Sequence, residues 1–584
     1  MQAKLPIINC HTHIFTGDHV PPYLAKTFIP PPLHYLLPLS LFVWLFRFWF
    51  NHPYTWQFKP WYKSLNETIF KIRMFCSRSG LARAISFIIG LILTIHVFFI
   101  INDWITVLGG PTKASEKVEE FRQWLGKYSL IFITESFIGK LALISVLVLF
   151  FKTGRNILIL ALKKVWSFLG LLPGPKSKEL AKRYLNLGRF AFYKDQSGVF
   201  GRLKNQYPAG TGFVVLPMDM EYMGAGKLKQ GYRYANQMEA LKVIKHNAGN
   251  KDIFFPFVFA DPRRIIDEGD SQFSYTIKNG NVILGKCFIK EFIEEHRFSG
   301  FKIYPALGYY PFDEALLPLW KYAADNQLPI LTHCIRGTIY YRGNKKKEWD
   351  THPVFEQVSG EEEYKPLVLT QIKNSDFSNN FTHPLNYLCL LDENLLRKVV
   401  KNANDDRIRE LFGYTNDKTE LKHNLSHLKL CFGHFGGDDE WKRFFESDRD
   451  NYAVQLVRNP SLGISFLEDA IGHPTPGKPE QVWKYVDWYS IICSLMLQYK
   501  NVYADLSYII HSAGIQPLLK YTLSNDNLKE KVLFGTDFYV VRSHKSEKNI
   551  LADTTDHMTE QELDQIGRIN PRTFLNNCLP PSEK

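Results

Sequence analysis

Residues 7–15, IINCHTHIF, place His11 and His13 one residue apart in an apolar run near the start of the chain. Side chains at i and i+2 of a strand share a face, so two imidazoles would emerge together. Neutral imidazoles so placed are a ready pair of ligands for a divalent metal. An HxH pair also arises by chance, as core histidines. Other polar residues shift that balance. His333 follows PILT, His434 follows CFG and Asp537 follows LFGT, each at the downstream end of an apolar run. Four separate runs that end in His or Asp are poorly explained by satisfied core histidines.

These residues need a frame that brings strand ends together. Besides LPIINCHTHIF, short runs rich in Val, Ile and Phe occur at 210–220, 252–262, 298–308, 328–337, 428–437, 500–509 and 530–540. Each reads as a strand. Helical stretches lie between them, near 233–247, 286–296, 313–326, 384–401, 481–499, 513–524 and 559–568, and INPRTFL would begin a closing helix. Eight alternating strand–helix units predict an α/β fold, a (β/α)8 TIM barrel. Residues 338–382 are polar, charged and aromatic, too long for a plain connection, and are expected to form a lid or substrate loop.

The order HxH, a lysine (Lys302) on the fourth strand, His on the fifth and sixth, and Asp on the eighth resembles the amidohydrolase superfamily. GFKIYPALGYYP, LPILTHCIRG, FGHFGG and VLFGTDF resemble most the amidohydrolase-related branch that includes aminocarboxymuconate-semialdehyde decarboxylase. The resemblance covers residues 1–19 and roughly 205–578. It implies that His11, His13, His333 and Asp537 bind a divalent metal, zinc above all, and that His434 is a catalytic base or oxyanion partner. Three imidazoles and a carboxylate would leave a position open for water, whose pKa falls to about 7 in such sites. Asp537 would hydrogen-bond that water and take its proton. One metal per chain is expected, or two if Lys302 is carboxylated and bridges, with His434 then a ligand of the second. Otherwise Lys302 is a substrate or structural contact. Asn9 stands where the family is frequently acidic.

Softer candidates surround these. Arg336 could pair a substrate carboxylate or phosphate bidentately, or make a surface salt bridge. His383, in FTHPLNYL, could approach the substrate or cap a helix. Tyr304 would line the pocket or merely pack. Asp350 and His352 read as turn chemistry, and Asp505 as a support behind the metal.

The net charge of +13 invites a nucleic-acid reading, which its placement opposes. Within 26–183, 21 Lys and Arg stand against 7 Asp and Glu, a balance of +14 that leaves −1 for the rest. An anionic membrane surface fits better, and no nucleic-acid recognition motif appears. Cys10, Cys76, Cys287, Cys334, Cys389, Cys431, Cys493 and Cys578 form no CxxC pair, a reduced cytosolic pattern. With no long apolar segment before HxH, no signal peptide is expected and the catalytic part should face the cytoplasm.

Residues 20–177 have no counterpart in the barrel pattern and hold apolar stretches at 33–50, 84–101, 130–151 and 155–172. Barrel strands precede and follow the insert, so the number of crossings should be even. Crossings at 84–101 and 130–151 keep the basic segments 51–83 and 152–183 inside. A membrane-spanning hairpin is therefore expected. A dip into one leaflet and a soluble hydrophobic cap are the alternatives. The insert follows the first strand, and loops after barrel strands lie on the catalytic face. The expectation is a membrane-associated, metal-dependent hydrolase of an amide or ester bond, acting on a small or lipid-like substrate. A decarboxylase on the same barrel, or an inactive membrane scaffold, are the alternatives, and self-association is left open.

Overall fold

The computed structural model describes residues 5–24, 60–150 and 195–576, together with 156 and 193. Residues 22, 111–112, 129–135, 338, 360–362, 370–372, 447–451, 470–471 and 476 fall outside that description. The chain divides into two units, Met1–Asn51 with Arg183–Lys584, and His52–Lys182.

The first unit is an α/β fold built on parallel strands. One sheet has β1 (Ile8–Thr12), β2 (Gly212–Val215) and β3 (Phe254–Pro256) in that order. The other runs β4 (Val258–Phe259), β7 (Phe301–Ile303), β8 (Ile330–His333), β11 (Leu430–Gly433), β12 (Val502–Asp505) and β13 (Val532–Leu533). All eight expected runs form strands. Segment 254–259 serves both sheets: Phe257 N–H donates to Val215 O at 3.0 Å and Val258 N–H to Gly300 O at 2.9 Å. At the far edges, Cys10 N–H donates to Phe534 O and Asp537 N–H to His11 O, both at 2.8 Å, and Thr12 bridges Phe538 in parallel.

Strands covered on both faces read as near-continuous apolar runs, as these do. The period of two sets which residues lie beyond the core. Leu331, Cys431, Tyr503 and Leu533 belong to one buried cluster. Two residues further along each run come His333, Gly433, Asp505 and Gly535, so bulky apolar side chains give way to two polar groups and two glycines. In β1 the register shifts between Asn9 and Thr12, an irregularity of the kind that re-aims side chains beside functional sites.

Residues 338–382, expected to form a lid or substrate loop, contain regular elements. An antiparallel hairpin, β9 (Thr351–Val358) with β10 (Tyr364–Val368), precedes the helix Asn374–Thr382. Trp349, Phe377 and Phe381 form a small core there, with Tyr310 and Tyr341 against it. The helix NSDFSNNFT is poor in helix formers, and tertiary packing of its two Phe residues overrides that weak propensity. A second hairpin, β5 (Tyr275–Lys278) with β6 (Asn281–Leu284), turns on Asn279-Gly280, both at positive φ (54° and 71°). Asn-Gly between short strands is a strong hairpin signal that the strand–helix count passed over.

The second unit contains α1 (Pro60–Arg78), α2 (Gly80–Gly109), α3 (Lys113–Gly126) and α4 (Phe137–Phe150). Ser79 caps α2, accepting a bond from Ala82 N–H. Within α2, Gly80–Trp104 is long and apolar enough to cross a membrane, by length and composition. The second expected crossing, 130–151, is described as a helix over Phe137–Phe150 alone, about 20 Å at 1.5 Å per residue. The stretch 33–50 and nearly all of 155–172 lie outside the described residues.

Candidate metal centre

β1 delivers His11 and His13, and each is held by its Nδ1. His11 Nδ1–H donates to Asp505 Oδ2 at 2.8 Å and His13 Nδ1–H to Leu216 O at 2.8 Å. Both rings are buried. Burial, with the nearby Lys302 ammonium, holds the pKa of His11 well below its ordinary value and that of His13 at about 3. The rings are therefore neutral, so the contact of His11 with Asp505 is a hydrogen bond donated by a neutral imidazole to a carboxylate oxygen. With the proton on Nδ1, each Nε2 carries a lone pair.

A chain of hydrogen bonds assigns the next two rings. Ser507 Oγ–H donates to Asp505 Oδ1, and Ser507 Oγ lies 2.9 Å from His434 Nδ1, which donates to it. His434 Nε2 is then an acceptor, 3.0 Å from His333 Nδ1–H. That leaves the lone pair of His333 on Nε2. Burial keeps His333 and His434 neutral as well.

Among the described residues, the buried atoms without a hydrogen-bond partner include His11 Nε2, His333 Nε2 and Lys302 Nζ. Buried polar atoms are normally satisfied, so three orphans in one site call for a group to satisfy them. Asp537 Oδ1 lies 3.4 Å from His13 Nε2 and 3.8 Å from His11 Nε2. Two imidazole lone pairs and a carboxylate oxygen converge there. Ligand atoms about 2.1 Å from a tetrahedral ion stand about 3.4 Å apart, so His11, His13 and Asp537 fit one divalent cation. His333 lies outside that tight group and stands beside His434, its ring centroid 4.7 Å away. The other possible group, His11, His434 and Asp505, is already joined by hydrogen bonds through Ser507 and through His434 N–H to Asp505 Oδ1 at 3.0 Å. Asp505 is therefore the carboxylate that orients His11 from behind.

Lys302, within β7, is fully buried, and desolvation lowers its pKa to about 8. Burial raises that of Asp537, and Lys302 opposes the shift. The Tyr304 ring stacks on His333 at 3.8 Å.

The backbone is bent to make these placements. His434, Tyr508 and Asp537 have φ of 66°, 62° and 61°. Non-glycine residues in this region cost of order 1–3 kcal/mol each and persist where the surroundings over-determine them. Glycines supply the close approaches. A Cβ on Gly433 would stand 2.7 Å from Thr332 O and 3.0 Å from His11 Cε1, and one on Gly535 would stand 3.0 Å from His11 Cβ.

Behind the site lies a network that sequence reasoning missed. Asn9 Oδ1 accepts from Thr536 N–H (3.2 Å) and His11 N–H (3.3 Å), and Asn9 Nδ2 donates to Thr536 Oγ1 at 2.8 Å. Thr536 Oγ1–H and Tyr207 O–H both donate to Glu547 Oε2, at 2.8 and 2.5 Å. Asn9 thus stitches the HxH strand to the Gly-Thr-Asp segment. Only its place two residues before His11 hinted at this. Ser507, two residues after Asp505, had no distinguishing signal.

Three of the softer candidates are engaged in other contacts. Arg336 is half exposed, 3.2 Å from Glu440 and over the Trp488 ring, the salt-bridge reading. His383 accepts from Leu385 N–H at 3.2 Å and stacks on Trp483 at 3.9 Å, the capping reading. His352 is satisfied by Asn386 and by Val354 and Phe355 N–H.

No family model matches this chain, and no curated protein matches it. Among solved structures it is similar to an uncharacterized TIM-barrel protein from Bordetella bronchiseptica, at 10% identity and TM-score 0.32, over 65% of this chain and 83% of that one. It is also similar to 4-oxalomesaconate hydratase LigJ from Rhodopseudomonas palustris, at 12% and 0.31, over 65% and 80%. A third is amidohydrolase map2389c from Mycobacterium avium subsp. paratuberculosis, at 14% and 0.28, over 66% and 75%. At such values no activity carries across.

Proposed function

We propose that this protein is a membrane-associated, metal-dependent hydrolase of an amide or ester bond, on a closed (β/α)8 barrel of the amidohydrolase type. The observation that carries the reading is the convergence of His11 Nε2, His13 Nε2 and Asp537 Oδ1 within 4.8 Å of one another. These three residues would hold the ion, zinc by the chemistry of the donors, and the unpartnered Nε2 of His333 makes it the fourth candidate. The ion would supply Lewis acidity that acidifies water and polarises a carbonyl. Lys302 Nζ, buried and unpartnered, would hold a substrate oxygen that bears negative charge. Tyr304 fixes the plane of His333 by stacking on it. His434 would take or return a proton through Nε2, after exchanging its bond from His333 for one to the substrate. Membrane association is supported by α2, and a substrate that partitions into the bilayer by the position of the insert directly after the HxH strand.

The test is bound metal per protomer in the detergent-purified full chain, beside a His11→Ala, His13→Ala double variant. About one zinc, lost in the double variant, and turnover on a panel of amides and esters are expected. No metal even after reconstitution would overturn the reading, as would metal without turnover on that panel.

A further inference from the structure

The unit His52–Lys182 presents an ordered surface that the metal centre does not use. Along α2 no Asp, Glu, Lys or Arg occurs between Arg83 and Asp103. These two lie roughly 30 Å apart along the axis at 1.5 Å per residue, the thickness of a bilayer's hydrocarbon core. Two polar groups inside that run bond to their own helix: Thr94 Oγ1–H donates to Gly90 O and His96 Nδ1–H to Ile92 O. Leu81, Ile85, Phe87, Ile88, Leu91 and Phe98 point outward, each about half exposed or more.

At the Asp103 end the chain turns back. Arg122 of α3 donates through Nη1 to both oxygens of Asp103, at 3.0 and 3.3 Å. Its guanidinium also lies over Phe99, whose ring is 6.2 Å from Phe121. α3 therefore packs back along the last turns of α2, at one end of the apolar run. Phe121, Trp124 and Tyr128 form a continuous aromatic row, with centroids 6.0 and 5.4 Å apart, and stay about half exposed or more. Trp104 adds a fourth aromatic at this end. Glu116, Lys117, Glu119, Glu120 and Gln123 are exposed along the same helix.

We propose that α3 is an interfacial anchor at the Asp103 end of α2, with the headgroup layer of a lipid bilayer as the partner of its aromatic row. Three observations favour this occupant over a second copy of the chain. The apolar run matches the hydrocarbon thickness, a row of stacked aromatics stands at its Asp103 end, and the first charges beyond it are paired with each other at that end. Amphipathic rings concentrate at the bilayer–water boundary for the same reason. The proposal rests on the membrane association given above and on nothing at the metal centre.

The test uses the full chain with Cys76→Ser and Cys578→Ser, reconstituted in phosphatidylcholine–phosphatidylserine vesicles. Single substitutions Ile89→Cys, Glu120→Cys and Trp124→Cys carry an environment-sensitive fluorophore, and the six buried native cysteines stay unlabelled. Quenching is read with iodide in water and with lipids bearing a nitroxide at acyl carbon 5 or 12. The label at 89 should lose most emission to the deep nitroxide, that at 124 to the shallow one, and that at 120 to iodide. Iodide quenching at 124 equal to that at 120 would overturn the anchor. So would a label at 124 shielded from every quencher in a cross-linkable dimer. Shallow quenching at 89 would overturn the crossing of α2 on which the anchor's depth depends. A chain that does not float with vesicles would remove the membrane association itself, a result separable from all of these.

Discussion

Asp505→Asn tests the assignment of protons around the metal centre most directly. Asp505 Oδ2 accepts from His11 Nδ1–H at 2.8 Å, and Oδ1 accepts from the backbone N–H of His434 and Ser507 at 3.0 Å each and from Ser507 Oγ–H. An asparagine has one acceptor oxygen and one NH2 group, so one of these sides must meet a donor. Turning the oxygen to the two backbone N–H groups aims the NH2 at His11 Nδ1. His11 then moves its proton to Nε2, and the atom facing Asp537 ceases to be a ligand. Turning the oxygen to His11 strands two buried N–H donors. Loss of a supporting carboxylate of this kind costs roughly 10–100-fold in metal affinity, about 1.4–2.7 kcal/mol. The assay is zinc titration of the full chain against a chromophoric chelator, with thermal unfolding of the metal-free protein run in parallel. Weaker binding by a variant that still folds is expected. Wild-type zinc affinity in a folded Asp505→Asn variant would refute the proton assignment, and with it the lone pair on His11 Nε2.

Three other outcomes are expected on the same structural grounds. Burial raises Glu547 from 4.5 to about 7, so the folded state binds a proton more tightly than the unfolded one. Its contribution to stability is full below about pH 4.5 and is lost as pH rises through 7, by at most roughly 3 kcal/mol. Urea unfolding midpoints at pH 5 and pH 8 should differ less in Glu547→Gln than in the wild type, and an unchanged difference would contradict this. Gly433→Ala should destabilise by about 1–3 kcal/mol and lower zinc content, because its Cβ would meet Thr332 O and His11. Gly201→Ala, whose Cβ would find nothing within 4 Å, should neither destabilise nor lower zinc content; thermal unfolding and elemental analysis decide both. His383→Ala should cost about 1 kcal/mol through the lost cap and leave metal content and KM unchanged. A raised KM would restore its reading as a substrate contact.

The division between what was legible in the chain and what was not tracks the reach of each interaction. Short apolar runs separated by amphipathic stretches were enough to locate the strands of both parallel sheets, because burial on both faces writes itself into local composition. His11, His13, His333, His434 and Asp537 were visible because each ends such a run, and Lys302 because it lies within one. Locally polar composition hid the order within 338–382, where the i,i+4 pair Phe377 and Phe381 packs with Trp349, a partner too distant in sequence to show in a local pattern. The sequence by itself determined which side chains reach the ends of the parallel strands. Only the tertiary structure decided their protons. The link from Asp505 through Ser507 and His434 to His333 joins residues 505, 507, 434 and 333 across three strand ends. No local pattern can encode which nitrogen of a ring keeps its lone pair, since that is set by an acceptor brought from another strand.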